Sequence, residues 1–209
     1  MKKQAKKQTE IKAIIFDVNG VLLKGHGRSI HEYMAKKLHI GFEEWFDAIN
    51  PYWEDMVKEE FTTEHHLNQI AKHFHISRSR LDKWFVKAFK KHFKKDRKMF
   101  NLFKKLRKNK YKVAILSDQT RMSYEAYEKF KLNKRVNTAV WSQKEGIRKP
   151  NPEIYKLTAK RLKLHPEKCL FIDDRDWNLI PAKKVGMKYI LFHNYLQLLE
   201  RLRVFGIRI

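Results

Sequence analysis

A chain of 209 residues suits one domain, or one domain with a sizeable insertion, and its 43% hydrophobic content supplies a packed core while arguing against wholesale disorder. No apolar stretch approaches the roughly 20 residues needed to span a bilayer, and a single cysteine excludes a disulfide framework within the chain. The net charge of +24 reads first as a solvated surface and second as an attraction for anionic substrates; no DNA- or RNA-recognition motif accompanies it, so neither specific nucleic-acid recognition nor a membrane partner is expected.

The first ten residues, Met1 to Glu10, are Lys- and Gln-rich without an apolar h-region and read as a basic disordered tail, not a secretory signal. Lys12 to Phe16 reads as a buried strand, which delivers Asp17 to a turn containing Asn19 and Gly20. Residues 25–95 read as an inserted helical block rich in Trp, Phe and His. Pro51 is expected to separate two of its helices. Thr62-Thr63-Glu64 offers N-cap residues for a helix carrying Leu67, Ile70, Ala71 and Phe74, and Ser77 to Arg80 starts another carrying Leu81, Trp84 and Phe85. Trp45, Phe46, Trp53, Trp84 and Phe85 are assigned to the core of this block. His65, His66, His73 and His75 lack Cys or acidic partners at ligand spacing and read as solvated or half-buried. His26 and Arg28, just after the first turn, are candidates to reach a ligand from the hinge.

The densest basic zone, Lys87 to Lys112, keeps apolar residues at helical spacing: Phe85, Ala88, Phe89 and Phe93, then Met99, Leu102, Phe103 and Leu106. Its lysines therefore occupy the outward faces of two amphipathic helices. From Arg97 onward helix and strand alternate, with strands at Val113 to Leu116, Thr138 to Trp141, Leu170 to Ile172 and Tyr189 to Phe192. Helices are expected around Met122 to Phe130, from Pro152 to Leu162 and around Leu179 to Val185, the last stopped by Gly186. Such alternation implies right-handed crossovers and an α/β, doubly wound parallel sheet. Residues 11–24 and 96–209 would form this core, with 25–95 as the insertion. Cys169 lies in an apolar strand as a small buried hydrophobe, compatible with a reducing, cytoplasmic setting.

In a parallel sheet the loops that follow the strands share one edge. That edge collects Asp17, then Ser117-Asp118, then Lys149 in the loop Gly146 to Pro152, then Asp173-Asp174. A nucleophilic carboxylate, a hydroxyl, a fixed cation and an acidic pair could hold a hard cation through oxygen while Ser117 and Lys149 grip a phosphoryl group. Mg²⁺ is the expected ion. Asn178 reads as a helix N-cap.

Asp17-Val18-Asn19-Gly20, Ser117, Lys149-Pro150 and Asp173-Asp174 resemble, in order and spacing, the four motifs of the haloacid dehalogenase (HAD) superfamily. The stretch Ser142 to Gly186 is similar to the branch that contains the soluble epoxide hydrolase N-terminal phosphatase domain and bacterial glucose-1-phosphate phosphatases. The resemblance implies a HAD-like Rossmannoid core with an inserted α-helical cap that closes over the strand ends, and Mg²⁺-dependent hydrolysis of a small phosphomonoester such as a sugar phosphate. It casts Asp17 as the nucleophile, with Asp17, Asp174 and the Asn19 carbonyl as metal ligands, Asp173 in support, and Ser117 and Lys149 on the phosphoryl oxygens. Where the family pattern carries an acid/base Asp, this chain has Asn19, an amide that cannot shuttle protons. The resemblance therefore implies a slowed phosphatase, or an impaired member that binds a phosphorylated ligand or acidic partner without turnover. A 2-haloacid dehalogenase would also use an Asp nucleophile but needs no metal, and the pair Asp173-Asp174 argues against it.

Overall fold

A computed structural model describes the backbone of residues 10–25, 27–57 and 63–209, with the side chains of 52–57 and 63 outside the description. The readings placed on the first nine residues, His26, Trp53, Thr62 and the Thr63 side chain lie outside the described residues.

The strands are β1 (Ala13–Phe16), β2 (Leu23–Lys24), β3 (Lys94–Lys95), β4 (Lys112–Ser117), β5 (Thr138–Trp141), β6 (Cys169–Asp173) and β7 (Lys188–Leu191). The helices are α1 (Gly27–Leu38), α2 (Phe42–Val57), α3 (Thr63–His73), α4 (Arg78–His92), α5 (Arg97–Lys108), α6 (Arg121–Tyr127), α7 (Ser142–Glu145), α8 (Pro152–Arg161), α9 (Asp176–Lys184) and α10 (Tyr195–Val204). Five strands form one sheet in the order β5-β4-β1-β6-β7, parallel throughout, while β2 and β3 pair as a short ribbon.

β1 is central because it is apolar on both faces, as a strand covered by two helical layers must be. Its Ile14 pairs in register with Val113 and Leu170, and Phe16 with Ile115 and Ile172. One face collects Ala13, Ile15, Ala114, Leu116, Val140 and Phe171 under Ile154, Tyr155 and Ala159 of α8 and Leu179 and Ala182 of α9. On the other, Phe16 meets Phe103 of α5 with ring centroids 4.8 Å apart. Asp96 N-caps α5 by accepting from Lys98 N at 2.8 Å, and its apolar side buries Met99, Leu102, Phe103 and Leu106 as the spacing predicts. Cys169 is fully buried and its thiol is pushed up to about 12 by burial, which keeps it unreactive.

The chain divides into two compact units, one of described residues 10–23, 95–118 and 131–209, the other of residues 24–94 and 119–130. Among its described residues the second unit consists of helices joined by turns, apart from the ends of the ribbon. Trp45 is its fully buried centre, stacked on Phe74 at 5.3 Å and tilted against Phe85 at 6.4 Å, with its indole N–H donating to His31 Nδ1 at 3.1 Å. Phe46 is partly exposed instead, lying along Phe42 at 5.8 Å. His66 is buried with its ring edge-on to His65, and His73 packs against Phe74. α6 belongs to this unit although the alternation of elements counts it with the sheet. Tyr127 contacts Phe89 of α4 and Phe93 just after it, and Arg121 pairs with Asp82.

Two local expectations need correction. Pro51 does not separate two helices but lies inside α2, on its exposed side. A proline forfeits one amide hydrogen bond there, but the helix backbone runs on to Val57, and Trp45 and Ile49 before it are buried. The chain also ends in a helix absent from the sequence reading: Asn194 caps α10 by accepting from Gln197 N at 3.0 Å, and Leu198 and Leu202 are fully buried. Among the described residues, no helix is long and apolar enough to cross a membrane.

Candidate active site

β1, β4 and β6 lie side by side, so the residues that follow them meet at one edge of the sheet. Asp17 leaves β1 with its own N–H still donating to Ile172 O of β6 at 2.9 Å. A tight turn follows, in which Val18 O accepts from the N–H groups of Leu22 and Leu23, and Gly20 N donates to Leu23 O. Gly20 has a φ of +80°, and a Cβ there would lie 2.2 Å from Asp174 Oδ2. Only a glycine both adopts that backbone and leaves room for the carboxylate.

Lys149 is the hub. Its ammonium donates to Asp17 Oδ1 at 2.9 Å and to Asp173 Oδ2 at 2.7 Å, and all three side chains are at least nine-tenths buried. The nitrogen also sits 5.5 Å from the centre of the Phe171 ring. Asp173 is saturated: Oδ1 accepts from Arg175 N at 2.9 Å, and the Asn178 amide reaches both oxygens at 3.1 Å. Asn178 is in turn held by Tyr155, whose hydroxyl donates to Asn178 O at 2.7 Å; burial pushes that phenol up, keeping it a neutral donor.

The carboxylates of Asp17, Asp173 and Asp174 can each place an oxygen within 4.8 Å of the others. Three such charges against one ammonium leave two negative charges uncompensated. The consequence shows at Asp17, pushed up to about 7 because burial and the neighbouring charges of Asp173 and Asp174 outweigh the attraction of Lys149. Asp174, at the solvent-facing rim, is also raised, by loss of water around its carboxyl and by Asp173. Lys149 is held above its ordinary value, since the carboxylates of Asp17 and Asp173 more than offset its burial.

A hard divalent cation fits this arrangement. The donors are all oxygen, two charges are in excess, and among the described residues no hydrogen-bond donor reaches Asp17 Oδ2. Asp173, occupied by Lys149, Asn178 and Arg175, is better placed to orient than to ligate, leaving Asp17 and Asp174 as the carboxylates open to an ion.

The structure thus gathers Asp17, Lys149, Asp173 and Asp174 as the motif order leads one to expect. Ser117 ends β4, fully buried, on the strand beside β1. Asn19 is half-buried in the turn after Asp17, where it bridges to Leu23. Arg28 pairs with Glu32 at 2.9 Å and lies over the Phe42 ring at 4.4 Å.

Two residues carry more than their sequence reading assigned. Asn178 is no N-cap; Arg175 holds that position, and Asn178 lies within α9 with its amide on Asp173. Its offset of five from Asp173 puts it on the inner side of the first turn, a signal visible only once Arg175 is known to start the helix. Asp118 turns toward the Lys149 loop and accepts from Lys149 N at 3.0 Å.

Comparison with known proteins bears on the family and the fold. The family model for haloacid dehalogenase-like hydrolases matches residues 11–186. Bifunctional epoxide hydrolase 2 of Mus musculus is 37% identical over 71 residues, covering 34% of this chain and 13% of that protein. Glyceraldehyde 3-phosphate phosphatase of Pyrococcus furiosus is 30% identical over 90 residues, covering 42% of this chain and 38% of that one. The matched region therefore spans well under half the length of these curated relatives. A HAD family enzyme of Bacteroides thetaiotaomicron, solved in complex with magnesium and inorganic phosphate, superposes with a TM-score of 0.70 at 22% identity over 90% of this chain and 98% of that one. At that identity the likeness speaks for the fold.

Proposed function

The chain belongs to the haloacid dehalogenase-like hydrolase family, and on that premise we propose that it hydrolyses a small phosphomonoester by way of a phosphorylated Asp17. The observation that carries this reading is the buried contact of Lys149 with both Asp17 and Asp173, with Asp174 in ligand range. A cation at the end of an open carboxylate is what an incoming phosphoryl group requires.

Asp17 Oδ2 would attack phosphorus in line with the ester oxygen. The bond from phosphorus to the ester oxygen breaks as the bond to Asp17 forms, and water later returns the carboxylate and releases phosphate. Lys149, already fixed by two carboxylates, would balance charge on the equatorial oxygens without reorganising, and Ser117 would donate from the adjacent strand end. Phosphoryl transfer depends mainly on such positioning and charge compensation. Asp17 and Asp174, with the Asn19 carbonyl, would hold Mg²⁺, which supplies Lewis acidity toward the phosphoryl oxygens. Asp173 would support the site by orienting Lys149. A sugar phosphate substrate, a cytoplasmic setting and a role for residues 25–95 as a substrate-selecting cap belong to the same proposal.

Asn19 limits the rate. Its amide cannot protonate the departing oxygen or activate the water, and such proton transfer is typically worth about 10²–10⁴-fold. Slow turnover, or turnover of substrates with good leaving groups, is the expected outcome. Asn19 also favours the second reading, a member of the family that binds a phosphorylated ligand or acidic partner without releasing phosphate. The deciding assay is Mg²⁺-dependent phosphate release from an activated aryl phosphate: Asp17→Ala should abolish it, and full activity in that variant ends the proposal.

A further inference from the structure

Lys149 is fixed at both ends, and the less obvious anchor is the one at its backbone. The ammonium is held by Asp17 and Asp173, from β1 and β6. The backbone N–H is held by Asp118 Oδ1 at 3.0 Å, from the loop that continues β4 past Ser117. Downstream, Asn151 N donates to Arg148 O at 2.9 Å and Asn151 caps α8 through Glu153 N at 3.0 Å, so Lys149 sits in a short turn pinned on either side. Asp118 is half-buried, and its charge adds to those of Asp17 and Asp173 in acting on the Lys149 ammonium. It thus stands beside Ser117 and Lys149, the two residues proposed to face the phosphoryl group.

A neutral amide accepts the same hydrogen bond. Hydrogen-bond geometry explains why position 118 carries an acceptor, but not why that acceptor is a carboxylate. The effect of the extra charge is electrostatic: it opposes a phosphate anion held by Ser117 and Lys149, in a region where partial burial weakens screening.

Resting on the hydrolase reading above, we propose that Asp118 is a positioning residue with two separable effects: its oxygen clamps the Lys149 backbone, and its charge weakens the grip of the site on phosphate. The clamp sustains turnover. The charge keeps both substrate and product phosphate loosely bound, so that a slow site is not also blocked by its own product.

Two substitutions separate the effects. Asp118→Asn keeps the acceptor and removes the charge, whereas Asp118→Ala removes both. With Mg²⁺ present, calorimetric titration with inorganic phosphate should show about three- to tenfold tighter binding for Asp118→Asn, and KM for an activated aryl phosphate should fall in step. Asp118→Ala should lower kcat at least about tenfold, a loss that Asn largely rescues. Phosphate affinity in Asp118→Asn that is unchanged or weaker overturns the proposal, as does an Asp118→Ala variant that matches the parent in both kcat and KM. The Asn variant keeps an acceptor for the Lys149 N–H, so the binding comparison stands even if the Ala variant is poorly folded. Tighter phosphate binding without hydrolysis in any form would remove the hydrolase reading and leave the charge effect in place; no measurable phosphate binding in either parent or Asn variant removes both.

Discussion

Asn178 presents a single amide nitrogen to both oxygens of Asp173, 3.1 Å from each, while Lys149 approaches one of those oxygens from the other side at 2.7 Å. A fully buried carboxylate is tolerable only when its lone pairs are occupied in this way. Removing the amide leaves Asp173 short of a donor, so its carboxylate leans harder on Lys149, already nearer to it at 2.7 Å than to Asp17 at 2.9 Å, and draws the ammonium away from Asp17. Asn178→Ala should therefore destabilise the fold by about 1–3 kcal/mol and reduce hydrolysis by more than the loss of folded protein accounts for. Urea unfolding together with kcat measured on the folded fraction tests both parts; a stability loss with unchanged kcat would reduce Asn178 to a purely structural group.

Gly20 faces Asp174 at a distance no side chain can share. In Gly20→Ala the new methyl group must displace the Asp174 carboxylate or force the turn out of its φ of +80°. Either response moves one of the two open carboxylates. The expected result is at least about a tenfold loss in Mg²⁺ affinity, in the range typical of perturbed metal sites, read by calorimetric titration. Equal affinity in the two proteins would show that Asp174 does not hold the ion.

Metal binding and protonation should compete at Asp17. Its carboxyl is raised to about 7 in the folded chain, whereas the unfolded chain ionises in the ordinary carboxylate range. Between those values the folded state keeps a proton that the unfolded state has released, so the contribution of this group to stability is largest at low pH and falls as pH rises through about 7. A divalent ion that binds the ionised form reverses this trend. The shift in melting temperature caused by Mg²⁺ should therefore grow from about pH 5.5 to about pH 8.5, and affinity should fall by up to about tenfold per pH unit below 7. A Mg²⁺ effect that is flat across this range would place the ion elsewhere.

Asn19 supplies the sharpest kinetic expectation. If an otherwise intact site lacks only proton transfer, Asn19→Asp should raise turnover at least about tenfold, with the larger gain on substrates whose leaving groups are poor. A uniform gain across leaving groups, or none, would show that proton transfer is not the missing step.

The sheet was legible in the sequence because both faces of its inner strands are buried, which leaves short continuous runs such as Ala13 to Phe16 and Cys169 to Ile172 between turn signals. The site followed from it, since parallel strands deliver Asp17, Ser117 and Asp173 to one edge whatever lies between them. What was not legible depends on how side chains turn once that edge exists. Asn178 and Asp118 differ from ordinary loop residues only by the direction of an amide and a carboxylate, which no spacing rule encodes. Pro51 misled for a different reason: its local effect on the backbone is real, but the packing of α2 around Trp45 overrides it. The helix α6 was placed correctly in sequence but grouped with the wrong neighbours, because alternation of elements says nothing about which layer a helix joins.

That grouping has a practical consequence for anyone dissecting the molecule. The helical unit is stitched from two separate lengths of chain, and Tyr127 of α6, in the second of them, is buried against Phe89 and Phe93 of the first. Cutting the gene at the ribbon formed by β2 and β3 would strip Tyr127 of those rings and leave an apolar stump on the remaining fragment. A truncated core intended for expression needs α6 trimmed or resurfaced as well, and a transplanted helical unit must carry α6 with it.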